Sequence, residues 1–317
     1  MSHHSRARTP YAYPMPSPAH PAQPNAASQS LTRQFISMPQ PDTFIEYFST
    51  WRGRLIRIAG LGRWPCDDIE LERQEAQHWL LRLLLGFPFV GPVIEVLNGQ
   101  KAVPRVLDVA TSSGAWAIDM AESFPYAEVV GTDTMPVQPD MVPENCEFDL
   151  VDLDGDLPYD DASFDLVHLR FTHLRVVSFS SLLTSAMRIL RPHGLILIFD
   201  SEGPPILSDN TTTTGVRAWS DAFTKSLKRA GMTAFNLKRV LELLRQNQVV
   251  GSDVLVPIGH GEGRIRQLGA IHLINTKAYL EAARFMMVEY GGYTDAEVDV
   301  LSDAYMKDVT EKKMYTR

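Results

Sequence analysis

The segment Asp108-Val-Ala110-Thr-Ser112-Ser-Gly114-Ala-Trp116 closes an apolar run and opens a helical one. Small residues at 110, 112 and 114 let the backbone turn sharply and let a ligand approach the main chain, and a helix begun at Gly114 offers free amides that favour a carboxylate. Nineteen residues past Gly114, at the tip of the next apolar run, stands Asp133. A carboxylate there can accept both hydroxyls of a ribose. Asp152, just beyond a third run, is placed to accept from an adenine amino group. A nicotinamide or flavin site is disfavoured, because the glycine that must admit a pyrophosphate is Ser112 here.

Further titratable groups cluster near a fourth run, Ser163-Phe-Asp165-Leu-Val-His168-Leu-Arg170. Asp165 opens that run; Asp108 belongs to the cofactor-binding set with 110–114, and Asp108 and Asp165 each also have a structural reading as braces. His168, Arg170 and His173 follow toward the same end, with Arg170 placed in the cofactor-binding set. His173 is the candidate general base, since imidazole titrates near neutral pH; the competing reading has these residues pack or pair at the loop. Glu202 and Trp219 are candidates for an acceptor pocket, although a tryptophan in such a place is more often a core residue. His260, in Gly259-His-Gly-Glu-Gly, sits in a turn or lid. No metal-ligand spacing is present.

The elements that must position these groups alternate. Strands are expected at 105–110, 128–133, 147–151, 164–169 and 195–200, with helices at 114–124 and 178–191, the latter ended by Pro192 and Gly194. This alternation predicts an α/β fold with a mostly parallel, doubly wound sheet and a ligand crevice at the carboxyl ends of its strands. Ahead of it, an aromatic-rich amphipathic segment at 44–57 is expected to dock on the domain. A helix follows, with Asp67 as N-cap, Glu70 in the capping-box position, Ala76, Leu80, Leu83 and Leu84 at helical spacing, and Gly86 with Pro88 as its stop. Behind the sheet, helices are expected at 214–230, 235–247, 276–290 and 294–310, and a strand near 252–258. The domain scheme is a tail at 1–41, a helical cap at 42–100, a cofactor-binding core at 101–203, and C-terminal helices forming an acceptor cap at 204–317.

Totals narrow the function class. A net charge of −8 argues against binding held by nucleic-acid phosphates. Cys66 and Cys146 are the only cysteines and form no framework, as expected of thiols in a reducing compartment. No run of about 18 apolar residues offers a membrane span, and the N-terminus has no apolar signal core. Residues 1–41 hold eight of the 21 prolines and no acidic residue, a composition expected to stay disordered. A cytoplasmic or nuclear protein, without membrane or nucleic-acid partners, is expected.

The ordered set Val106-Leu-Asp108-x-Ala110-x-Ser112-x-Gly114, Val129-Val-Gly-Thr-Asp133, Leu157 to His168 and Ile189-Leu-Arg-Pro-His-Gly-Leu195 resembles class I methyltransferases, with their Rossmann-like fold. More closely, the chain resembles the fungal LaeA-like group through Pro65 to His78, Trp116-Ala-Ile-Asp119, Pro257-Ile-Gly259 and Tyr290 to Val298. The resemblance covers about residues 44 to 311. It implies S-adenosylmethionine as cofactor, with 110–114 holding its methionine part, Asp133 its ribose, Asp152 and Leu153 framing the adenine, and Arg73 with Gln77 lying over it. The implied activity is methyl transfer to a small-molecule acceptor in or near fungal secondary metabolism; the alternative is a regulatory, non-catalytic protein acting through protein partners. Two departures stand out. Ala110 and Ser112 replace the glycines of the family loop, at a cost of roughly 1 kcal/mol or more if φ is positive there. The last sheet strand has only Met314 to Arg317 to form it, so it is expected to be short or missing.

Overall fold

The computed structural model describes residues 47–58, 63–99, 102–232, 235–245, 247–251 and 253–317. The expected tail at 1–41 lies outside the described residues.

Five parallel strands form the central sheet: β3 (Arg105–Val109), β4 (Glu128–Asp133), β5 (Cys146–Leu150), β6 (Phe164–Arg170) and β7 (Leu190–Phe199), in the order β5-β4-β3-β6-β7. Chain order reverses between β3 and β6, so a crevice opens at the carboxyl ends of these two strands. These strands read as near-continuous apolar runs because both faces are covered. On one face, Val106, Trp116, Met120 and Leu166 share a core with Val93 and Leu97; on the other, Leu107, Val130, Val167, Leu182 and Leu183 share a second. The helices on the sheet are α2 (Val93–Asn98), α3 (Ala115–Ser123) and α4 (Phe179–Ile189), and a 3-10 turn at Thr172–Leu174 follows β6. The class I, Rossmann-like expectation therefore holds. The strand after α4 begins at Leu190, earlier than 195, and its register shifts opposite Phe164/Leu166.

The N-terminal cap is only partly helical. Where one amphipathic segment was expected, β1 (Phe48–Trp51) and β2 (Arg54–Arg57) form an antiparallel hairpin turned at Arg52 and Gly53, both with positive φ. The helix after it, α1 (Asp68–Leu85), starts as expected: Asp67 accepts from Glu70 N, and Gly86 ends it in the left-handed region. The capping box is not completed there, because the Glu70 carboxylate accepts instead from Trp64 Nε1, Arg73 and Gln74.

The C-terminal part contains α5 (Thr214–Arg229), α6 (Leu237–Leu243), α7 (Gly263–Glu289) and α8 (Asp295–Glu311). Helix α7 runs 13 residues further N-terminal than expected. The capping box of Thr294 and Glu297 on α8 forms in full. Helices α5 and α8 touch at Gly215, where a Cβ would lie 2.7 Å from the Ala304 carbonyl carbon. The last strand, β9 (Met314–Thr316), is present and short, but it leaves the main sheet to pair antiparallel with β8 (Val256–Ile258). That makes β7 the terminal strand of the main sheet among the described residues. No helix among the described residues is long and apolar enough to cross a membrane, and no His, Cys, Asp and Glu cluster there could hold a metal.

Candidate cofactor and acceptor site

The loop after β3 holds three left-handed residues in alternation: Ala110 at φ 58°, Ser112 at 58° and Gly114 at 79°. Only the last is a glycine. The loop keeps this course because its neighbours fix it. Thr111 N donates to Thr132 O at 3.0 Å, Gly114 N to Thr111 O at 3.0 Å, and Ser112 N to Asp133 Oδ2 at 3.0 Å. Gln138 Nε2 adds a bond to Ser112 O at 2.7 Å. Each non-glycine left-handed residue costs about 1 kcal/mol or more. Glycine is required at 114 on a second ground, since a Cβ would overlap the Phe148 ring.

Asp133 ends β4 buried, with Oδ1 accepting from Met135 N at 3.2 Å and Oδ2 from Ser112 N. Thr134 Oγ1 adds a longer bond to Oδ1 at 3.4 Å. Asp133 is thus a brace of the loop as well as the ribose candidate; an ionised carboxylate has about four lone-pair sites, so three bonds leave capacity. Asp108 is engaged internally: Oδ2 accepts from Thr111 Oγ1 and Oδ1 pairs with His168 Nδ1, both at 2.7 Å. It braces the loop, whatever its part toward a cofactor. Asp165 is likewise a brace, fully buried and accepting from Arg105 N and Arg191 Nη1. His168 stacks on Trp116 at 3.7 Å between ring centroids, and burial lowers its pKa. Trp116 donates to Pro88 O and lies in the core beneath α3, so it does not fill the crevice.

Arg170, at the end of β6, is half-buried, and burial lowers its pKa against the fields of Asp108 and Asp119. Its one hydrogen-bond partner among the described residues is neutral-capable His78, Nη1 to Nδ1 at 3.2 Å. His78 Nε2 pairs in turn with Asp119 at 2.9 Å, which Arg82 also meets at 3.1 Å. Helix α3 begins without a side-chain cap, and its first turn leaves amides available to an anion.

Two placements differ from expectation. Arg73 does not lie over the loop: it donates to Glu70 twice at 2.8 Å, to Gln77 Oε1 at 3.2 Å and to Asn275 Oδ1 at 3.0 Å, tying α1 to α7. Its neighbour Gln74 takes the loop position, against the Ser112 hydroxyl. Leu153 is buried among Leu107, Val130 and Phe164 rather than framing a ring, while Asp152 is exposed and accepts from Asp154 N at 3.0 Å. His173 lies beyond Phe171, itself left-handed at φ 51°. Its Nδ1 is 2.7 Å from Asp200 Oδ1, just past β7, but off the line of a hydrogen bond. Asp200 escaped the sequence reading, although its place at a strand tip was signal enough. Glu202 accepts from Leu237 N, and His260 Nε2 sits against Met314 O, a structural tie and not a lid.

The family described as "Methyltransferase domain" matches residues 106–194. The chain is 35% identical over 136 residues to the secondary metabolism regulator LAE1 of Cochliobolus heterostrophus, which covers 42% of this chain and 43% of that protein. It is 24% identical over 272 residues to the secondary metabolism regulator laeA of Coprinopsis cinerea, covering 80% of this chain and 67% of that one. A third relative, methyltransferase str3 of Strobilurus tenacellus, is 28% identical over 161 residues, covering 51% and 56%. Residues 106–194 thus match a methyltransferase domain, on a sheet of the class I kind, and the chain resembles LaeA. The match spans less than half the length of the Cochliobolus protein.

A methyltransferase domain of this class implies S-adenosylmethionine as its cofactor. The residues of this LaeA-like domain fit it at the methionine end: the half-buried Arg170 guanidinium has no carboxylate partner among the described residues, and the uncapped start of α3 lies on the same crevice.

Proposed function

We propose that this chain binds S-adenosylmethionine and methylates a small-molecule acceptor in fungal secondary metabolism. The observation that carries the reading is the loop at 110–114. It holds the glycine-type backbone at Ala110 and Ser112 without the glycines, and strain persists where surrounding structure enforces it for a purpose. When bound, the sulfonium cofactor supplies an activated methyl group. The chain's own residues do the rest. Arg170 and the first-turn amides of α3 hold a carboxylate, Asp133 accepts from ribose hydroxyls, and Asp152 accepts at the adenine edge. His173 takes a proton from a protic acceptor at Nε2.

Calorimetric titration with S-adenosylmethionine tests this. Micromolar binding is expected, weakened at least tenfold in Arg170→Gln. A folded chain that binds no cofactor would sink the enzyme reading.

A second reading, a regulatory protein acting through protein partners, is supported by Gln74 lying against Ser112 inside the cofactor loop and by the relatives' description as regulators. Under it, the protein retains the scaffold without turnover, in the cytoplasm or nucleus, and cofactor binding is absent.

A further inference from the structure

The two ring nitrogens of His173 stand in opposite circumstances. Nδ1 is buried, 2.7 Å from Asp200 Oδ1 and short of hydrogen-bond alignment. Nε2 is not among the buried atoms, has no partner among the described residues, and belongs to a side chain that solvent reaches over 12% of its area. The ring is thus held by its buried side and open at its other nitrogen.

Backbone fixes the pair from both strands. Phe171 N donates to Phe199 O at 2.9 Å, clamping the segment after β6 to the end of β7. Phe171, left-handed at φ 51°, leads into the 3-10 turn that carries His173, and Asp200 follows the clamp on the other strand. Phe235 lies against the imidazole with ring centres 6.0 Å apart. A bulky residue keeps a left-handed backbone only where its surroundings enforce it, and such strain clusters at functional sites.

Asp200 is less well provided for. Its side chain is 1% exposed, yet its one hydrogen bond among the described residues is local, from Ser201 N to Oδ1 at 2.8 Å, and Oδ2 has none. A carboxylate buried in that state is costly, and a proton on His173 is what meets the demand. In the neutral ring that proton sits on Nδ1 and leaves the lone pair on Nε2; in the charged ring the imidazolium is the counter-ion. The 2.7 Å contact needs only alignment. The ring torsion of histidine is soft, and bonds of this kind often align fully only when substrate is bound.

We propose that Asp200 is the positioning residue of His173. It sets the tautomer with the proton on Nδ1, and it stabilises the imidazolium formed when an acceptor O–H or N–H gives its proton to Nε2. The acceptor's freed electron pair bonds the methyl carbon as the sulfur–carbon pair returns to sulfur. The role in proton transfer rests on the methyltransferase reading, whereas the tautomer does not.

The test is long-range 1H–15N NMR of the full chain labelled with 15N-histidine, at about pH 8.5, two units above the ordinary histidine value. The His173 signals are identified by their loss in His173→Gln. We expect a protonated Nδ1 and a bare Nε2. In Asp200→Asn the amide can donate to Nδ1, so the proton is expected to move to Nε2. A wild-type His173 protonated on Nε2, or exchanging between the two tautomers, overturns the proposal without recourse to the variant. So does an Nδ1–H form that persists in Asp200→Asn at unchanged melting temperature. Parallel titration with S-adenosylmethionine separates the two readings. Cofactor binding with the wrong tautomer removes only the role of Asp200, whereas the expected tautomer without cofactor binding keeps the pair and removes methyl transfer.

Discussion

Two histidine–aspartate pairs sit at the carboxyl ends of neighbouring strands, and they differ in every respect but distance. His168 and Asp108 lie 2.7 Å apart and complete a network with Thr111 and Trp116. His173 and Asp200 are also 2.7 Å apart, but the contact is off line, and both residues keep an unpaired polar atom. The first pair has the economy of a structural joint. The second carries the unmet demand expected of a site awaiting a ligand. The comparison shows that burial and proximity alone do not nominate a catalytic pair; what the hydrogen bonds leave over does.

The sharpest way to break the comparison is to delete both carboxylates. Asp108→Ala strands buried His168 and releases Thr111 from the loop, so we expect a loss of about 3 kcal/mol in urea denaturation. Asp200→Ala removes one local bond, from Ser201 N to Oδ1, together with an oxygen that lacks a partner, and is expected to cost about 1 kcal/mol. Equal losses would erase the distinction between the pairs.

His272 gives a third histidine against which to calibrate. Burial lowers its pKa to about 4, and its Nδ1 lies 3.0 Å from Pro257 O. An unfolded histidine, titrating near pH 6.5, binds its proton first, so stability falls as pH drops from about 6.5 to about 4. The contribution is up to roughly 3 kcal/mol, and denaturation curves of His272→Asn across that range should lose the corresponding slope. If they keep it, burial is not what sets this histidine's titration.

Arg170→Gln removes the half-buried cation and should weaken cofactor binding at least tenfold, or about 1.4 kcal/mol. The smallest effect belongs to the loop strain. Ala110→Gly relieves a left-handed alanine and should stabilise the fold by roughly 0.5 kcal/mol, because a more flexible unfolded chain offsets part of the relief. A destabilised Ala110→Gly protein would mean the methyl group is packed and the position is not strained.

Much of the sheet was legible because buried parallel strands print as apolar runs with abrupt ends, as Val106-Leu107 and Leu166-Val167 do. The hairpin at 48–57 was not, since strands of four residues are too short to separate period 2 from period 3.6. The start of α7 was hidden for another reason: its buried face includes Gly269, His272, Asn275 and Thr276, so the apolar stripe fails while the helix continues. At the site, the strand pattern put Asp133 at the end of β4 and His173 in the turn after β6, where the structure has them. Spacing on α1 could not tell Arg73 from Gln74, because ion pairing with Glu70 drew the longer side chain away. Whether both oxygens of a carboxylate find partners is a tertiary fact, and it is what separated Asp108 from Asp200.

Gly215 gives the helical layer a remote adjustment. Its missing side chain lets α5 rest backbone to backbone on α8, and Trp219 stands one turn further along the same helix, in the core those helices share. A single methyl group at 215 would act as a shim, lifting α5 from Ala304 and shifting Trp219 against Phe223 and Tyr305 without altering any of those side chains. Relatives that differ only at this position would pack the layer differently while every core residue reads the same.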